Sequence, residues 1–198
     1  MSALRVPFAI ASARLFAERK ALLYACAAAA IAGFVQRGAR LEGPLFFCSL
    51  LGIVVALIQG PGRHRYLDVC EQSAPLFGRQ LARGKALAPC VAATLASVAY
   101  CGGMLAGGAS LSIALFGVAL AGSLATTLVA LNATTRSGAA RALYILLAVA
   151  TSAGAFALAM HPGWRASVAA LAFCVATGFI ALRQYGEALA RFDPAAES

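Results

Sequence analysis

The chain has 198 residues, of which 62% are hydrophobic and 12% charged, with a mean hydropathy of +0.83 and a net charge of +9. Globular domains carry about 25% charged residues, so this composition excludes an ordinary water-soluble domain and fits an integral membrane protein. Membrane topology and anionic lipid account for the excess of cations, so nucleic acid is not needed as a partner.

Residues 1–20 precede the first apolar run and hold five charges, one of them Glu18, which argues against a cleaved signal peptide. Leu4, Phe8, Ala11 and Leu15 recur at helical spacing, with Arg5, Ser12 and Arg19 on a neighbouring stripe. That pattern predicts an amphipathic interfacial helix starting near Pro7; a frayed cytoplasmic tail is the alternative.

Apolar runs over about 21–35 and 44–60 predict the first two spans. Farther on, Ala86 to Thr135 is free of Asp, Glu, Lys, Arg and His over 50 residues. As helix this stretch is about 75 Å long, enough to cross a ~30 Å hydrocarbon core twice. Four glycines within Gly102-Gly103-Met104-Leu105-Ala106-Gly107-Gly108 favour the turn there, giving spans at about 86–106 and 109–131. Two more follow at about 142–160 and 165–182. Long Ala- and Leu-rich runs lack the alternation of a barrel strand, so the fold class is an all-α membrane protein of six spans.

With the N-terminus in the cytoplasm, thirteen of the sixteen cations fall on inside segments, and only Arg37, Arg40 and Arg165 lie outside. Both termini are then cytoplasmic, with an interfacial helix over 1–20, a single transmembrane domain over 21–185 and a tail over 186–198. The Asn132-Ala133-Thr134 sequon falls on the inside and is discounted.

Cys26, Cys48, Cys90, Cys101 and Cys174 lie in or at the ends of apolar spans, and only Cys70 is in a loop. No C-x-x-C pair occurs, so these thiols are expected to pack as small hydrophobes with no metal or redox role. His64 and His161 fall on opposite sides of the membrane and cannot share a metal, and no cofactor is expected. No ionisable residue stands in the middle of a span, which disfavours ion-coupled transport, proton pumping, haem carriage and intramembrane enzyme chemistry. Ser97 and Cys101, then Gly103 and Gly107, have small-xxx-small spacing, while Thr94, Ser123, Thr126, Thr127, Thr151 and Ser152 add mild polarity. Helix packing is the plain reading of these residues, and a weakly polar path for an amphipathic substrate is the other.

The longest interspan loop, 61–85, is cytoplasmic in this topology. Arg63-His64-Arg65-Tyr66-Leu67 leads to Asp68, which can cap a short helix, and Glu71, three residues on, can complete a capping box. That helix should stop near Pro75. A second should start at Leu76 and run straight into the third span, with Phe77, Leu81, Gly84 and Ala88 on one stripe and Arg79 and Arg83 opposite. Arg79, Arg83 and Lys85 are the basic residues where this helix meets the membrane.

Pro75-Leu76-Phe77-Gly78-Arg79-Gln80-Leu81-Ala82-Arg83-Gly84-Lys85, with Glu71 upstream, resembles the P-[VIL]-S-R-x-x-[IL]-L-x-G-K segment of type-2 ABC exporter permeases. Proline, apolar residue, leucine and the Gly-Lys pair align without a gap, whereas Phe77-Gly78 stands where that family has Ser-Arg. The interfacial helix, six spans and the basic Asn132–Gly138 turn are similar to the same family. The resemblance implies an ATPase-coupling loop, with Tyr66, Leu67, Asp68, Glu71, Gln72 and Pro75 in or beside a short coupling helix over about Tyr66–Ala74. It further implies a separate ATPase subunit, a second permease copy or a related permease, surrounding lipids, and residence in a bacterial inner membrane. No G-x-x-x-x-G-K-[ST] loop occurs, so ATP would be hydrolysed by the other subunit and this chain is not expected to be an enzyme. Glu71 would contact the ATPase or the N-terminal helix, or else serve only as a cap. A small membrane scaffold or accessory subunit of a larger complex is the alternative function.

Overall fold

The computed structural model describes residues 5–36, 42–58, 78–110, 112–159 and 163–189. Among them the chain forms seven α-helices and no strand: α1 Arg5–Ala17, α2 Arg19–Val35, α3 Glu42–Ile58, α4 Gly78–Ala106, α5 Ile113–Thr134, α6 Gly138–Ala159 and α7 Trp164–Leu189. Four of them, α4 to α7, are long and apolar enough to cross a membrane, and Phe46–Ile58 of α3 is a shorter apolar stretch. An all-helical membrane protein follows, because a backbone in lipid must satisfy its own N–H and C=O groups within each segment.

Helix α5 is the centre of the bundle. It packs on α3, α4, α6 and α7, and most of its second half, from Gly122 to Ala133, is buried. Its partners run alternately up and down. Ile53 and Ala56 near the end of α3 share one core cluster with Ala82 and Ala86 near the start of α4, Val129 to Leu131 near the end of α5, and Tyr185 and Leu189 near the end of α7. The opposite end gathers Cys48, Tyr100, Cys101, Met104, Val118 and Ala170 from the complementary helix ends, together with Ala29 of α2. The outward faces of α6 and α7 expose Leu143, Leu146, Leu147, Val168, Val175, Phe179 and Ile180. An apolar surface of this kind is stable against hydrocarbon and not against water.

The glycine-rich segment divides its roles. Gly102 and Gly103 remain inside α4, and only Gly107 and Gly108 turn the chain, with φ +89° at Gly108. Gly103 is held in the helix by packing, since a Cβ there would run into the Ala30 carbonyl of α2. The next helix consequently begins at Ile113 and not near residue 109; the Ser112 hydroxyl caps it by accepting from the Leu115 N–H at 3.2 Å. At the other end of the chain, α7 runs to Leu189, past the predicted limit of residue 182, with Arg183 and Glu187 paired at 3.2 Å on its exposed surface.

In the N-terminal helix, Ala11 and Leu15 of the predicted stripe pack on the protein. Phe8 is exposed, and Ile10, Ala11, Arg14 and, just beyond the helix, Glu18 are buried. The reason is tertiary: α1 lies along α4, and Ile10 sits where a Cβ on Gly84 would touch it at 3.0 Å. The break to α2 at Glu18 is slight, because the Glu18 N–H still donates to the Arg14 carbonyl and the Leu22 N–H to that of Glu18.

Candidate functional site

Of the loop residues singled out by sequence, Tyr66, Leu67, Asp68, Glu71, Gln72 and Pro75 lie outside the described residues, as do His64, Cys70 and His161. The chain re-emerges as α4 at Gly78, with Arg79 next in the helix, and continues for 29 residues to Ala106. At about 1.5 Å per residue this one helix is about 43 Å long. The predicted continuity between loop helix and third span is therefore present from Gly78 onward.

Arg83 and Lys85 part company. Arg83 is exposed, as its stripe predicts, whereas Lys85 retains 3% exposure. Lys85 neighbours Gly84, where α1 abuts α4 through Ile10, and Arg14 and Glu18 follow Ile10 at intervals of one helical turn. Arg14 and Glu18 retain 5% and 7% exposure, and none of the three charged residues lacks an interaction partner. Taking such groups from water costs several kcal/mol each, so burial persists only with paired charges or hydrogen bonds. Pro89, one turn beyond Lys85, has no N–H and leaves the Lys85 carbonyl without its usual helical donor. The start of α4 thus packs on α1 through Ile10 and Gly84, with three buried charged residues close to that contact, at the end where the basic loop arrives.

Deeper in the bundle the hydroxyls are engaged in helix packing. Ser97 of α4 donates to Ser123 of α5 at 3.0 Å, and Thr126 of α5 reaches the Ser49 carbonyl of α3 at 3.1 Å. Thr94, Thr127 and Thr151 donate to carbonyls one turn back on their own helices. Gly52 permits this approach: a Cβ there would overlap the Ser123 carbonyl and the hydroxyls of Thr126 and Thr127. These contacts favour the packing reading of the small and hydroxylated residues. Ser152 Oγ, buried on α6, is without a hydrogen-bond partner among the described residues.

Near the far end of α5, the Asn132 amide donates to the Ala181 carbonyl of α7 at 3.0 Å and to the Leu128 carbonyl at 3.1 Å, and its side chain is fully buried. Its sequon is therefore closed to modification in the folded chain. Arg136, in the turn that follows, stacks over Tyr144 at 4.9 Å, and the Tyr144 hydroxyl reaches Gln184 of α7 at 3.4 Å. Among the described cations, Arg165 alone lies at the end of the bundle opposite Lys20, Arg83, Lys85, Arg136, Arg141 and Arg183.

Sequence reasoning missed one juxtaposition. Cys48 of α3 and Cys101 of α4 are both buried and their thiols lie within hydrogen-bonding reach, with Ser97 beside Cys48. Spacing along the chain carries no signal for this pair, because the two cysteines come from different helices. Among the described residues no three of His, Cys, Asp and Glu cluster as metal ligands. Neither family models, curated proteins nor solved structures match this chain.

Proposed function

We propose that the chain is the permease subunit of an ABC-type exporter, a six-span protein with both termini in the cytoplasm, acting on an amphipathic or small-molecule substrate. ATP is hydrolysed by a separate subunit that docks on the 61–85 coupling loop, and two permease copies, or this chain and a related one, enclose the path. The observation that carries the reading is the unbroken α4. A push delivered to its loop end at Gly78 passes along one continuous helix toward Ala106, although Pro89 removes one of its hydrogen bonds, and α1, keyed to it at Ile10 and Gly84, moves with it. The alternating helix directions and the concentration of cations at one end support the six-span topology. The membrane of this reading is the inner membrane of a bacterium.

The topology is checked by thiol labelling of single cysteines introduced at Ser2, Ser73 and Ser110 of an otherwise Cys-free chain. Only position 110 should react in intact cells, and ready labelling at position 73 would exclude this arrangement. The coupling role is checked with Glu71. Glu71→Ala should insert and assemble normally, yet lower substrate-stimulated ATP hydrolysis by the reconstituted complex. Glu71→Lys should lower it further, since like charge then faces the cation the acid meets. Parent-like hydrolysis and transport in both variants, or co-purification with a complex lacking an ATPase, would favour the scaffold function instead.

A further inference from the structure

We propose that Cys48, Cys101 and Met104 form a binding site for a soft monovalent cation of the copper(I) or silver(I) kind. The site stands apart from the exporter function and does not depend on it. Its first support is the pairing itself. Cys48 and Cys101 retain 0% and 1% exposure, and they come from two helices that pack together and place both residues in one core cluster, where the two side chains interact. The other described cysteines show no such pairing: Cys26 and Cys90 are only partly buried, and Cys174 sits in a separate cluster with Ala125 and Ala155.

The second support is the third sulfur. Met104 lies one turn beyond Cys101 on α4, retains 1% exposure and belongs to the same core cluster as both cysteines. Two thiols and a thioether are a soft donor set, the type that selects copper(I) over harder divalent ions, and two or three such donors suffice for a monovalent d10 ion. Among the described residues no three of His, Cys, Asp and Glu gather there as a zinc site would need. The frame around the sulfurs is rigid. Phe47 stacks on Tyr100 at 4.4 Å between ring centroids, the Tyr100 hydroxyl donates to Gln36, and a Cβ on Gly33 would overlap the Tyr100 carbonyl. Ser97, hydrogen-bonded to Ser123, supplies a hydroxyl beside Cys48.

Position gives a route in. Cys48 and Cys101 lie within about two turns of the Glu42 and Ala106 ends of their helices, so an ion need not cross the whole bundle to reach them. On binding, two S–H bonds are replaced by two S–metal bonds and two protons leave to solvent. The metal keeps its oxidation state, and no oxidant or reductant is consumed.

The test uses the full chain with Cys26, Cys70, Cys90 and Cys174 replaced by alanine, reduced and held in detergent without oxygen. Copper(I) is offered as its complex with bicinchoninate, whose colour falls as the protein withdraws the metal. The expected result is one copper(I) withdrawn per chain, none when Cys48→Ser or Cys101→Ser is added, and about tenfold weaker binding in Met104→Leu. Gel filtration shows whether each variant remains folded, and Met104→Leu gives a second reading that leaves both thiols in place. Withdrawal no greater than by a chain lacking both cysteines would overturn the site. Unchanged affinity in Met104→Leu would equally overturn it, as would isolation of the pair as a disulfide whose reduction creates no copper(I) binding.

Discussion

Gly52→Leu is expected to drive α3 away from α5 and to lower the stability of the purified protein by about 3 kcal/mol or more, the upper end of overpacking costs. The side chain has nowhere to go. Its first carbon would meet the Ser123 carbonyl, which is backbone, and the Thr126 and Thr127 hydroxyls, which are held by hydrogen bonds to α5 carbonyls. Displacing Thr126 would also cost its contact with the Ser49 carbonyl across the interface. Gly33→Val and Gly103→Val should act in the same direction at the α2–α4 contact, where Tyr100 and Ala30 present backbone carbonyls. Gly102→Ala is the internal contrast. A Cβ on Gly102 meets nothing within 4 Å, so this change should stabilise α4 by up to about 1 kcal/mol through helix propensity alone. The measurement is the fraction of monodisperse protein surviving a temperature series in detergent. Equal behaviour of Gly52→Leu and Gly102→Ala would mean that α3 and α5 do not approach as described.

Lys85→Met should also be damaging, with a loss of about 1–3 kcal/mol, because it removes a buried ammonium and leaves whatever group it meets without that interaction. Methionine keeps the length and apolar stem of lysine, so lost packing contributes little. Arg83→Met, two residues earlier on the exposed side of α4, should leave stability close to the parent. The contrast is read by the same heating series, and by limited proteolysis of the 1–20 segment, which should become cleavable when α1 loosens from α4 in Lys85→Met. If Lys85→Met and Arg83→Met are indistinguishable by both measures, Lys85 contributes no pairing to the α1–α4 seam.

Each of these contrasts sets apart residues that look alike along the chain. Gly102 and Gly103 both read as turn residues, yet both remain helical, and only one of them meets another helix. Arg83 and Lys85 both read as cations marking the membrane boundary, yet one faces outward and the other is buried beside the α1 contact. Cys48 and Cys101 both read as small apolar fillers in separate spans until the folding of α3 against α4 brings their thiols together. On α1 the pattern placed Ala11 and Leu15 on the apolar stripe, and both pack on the protein, but it carried no sign that the contact with Gly84 also buries Ile10 and that Arg14 is buried.

By itself, the amino-acid sequence determined that this is an all-helical membrane protein and where its long apolar helices run, to within a few residues at most boundaries. Hydropathy decides this because unpaired backbone groups are too costly in hydrocarbon, so each long apolar run has to close its hydrogen bonds as a helix. The tertiary structure alone decided which face of each helix meets another. Inside a membrane an apolar side chain gains no solvent advantage by turning from lipid toward protein, so the hydrophobic pattern that orients helices in water is missing. Orientation comes instead from close backbone approach at Gly33, Gly52 and Gly103, and from the hydrogen bonds of Ser97, Thr126 and Asn132, whose partners lie on other helices.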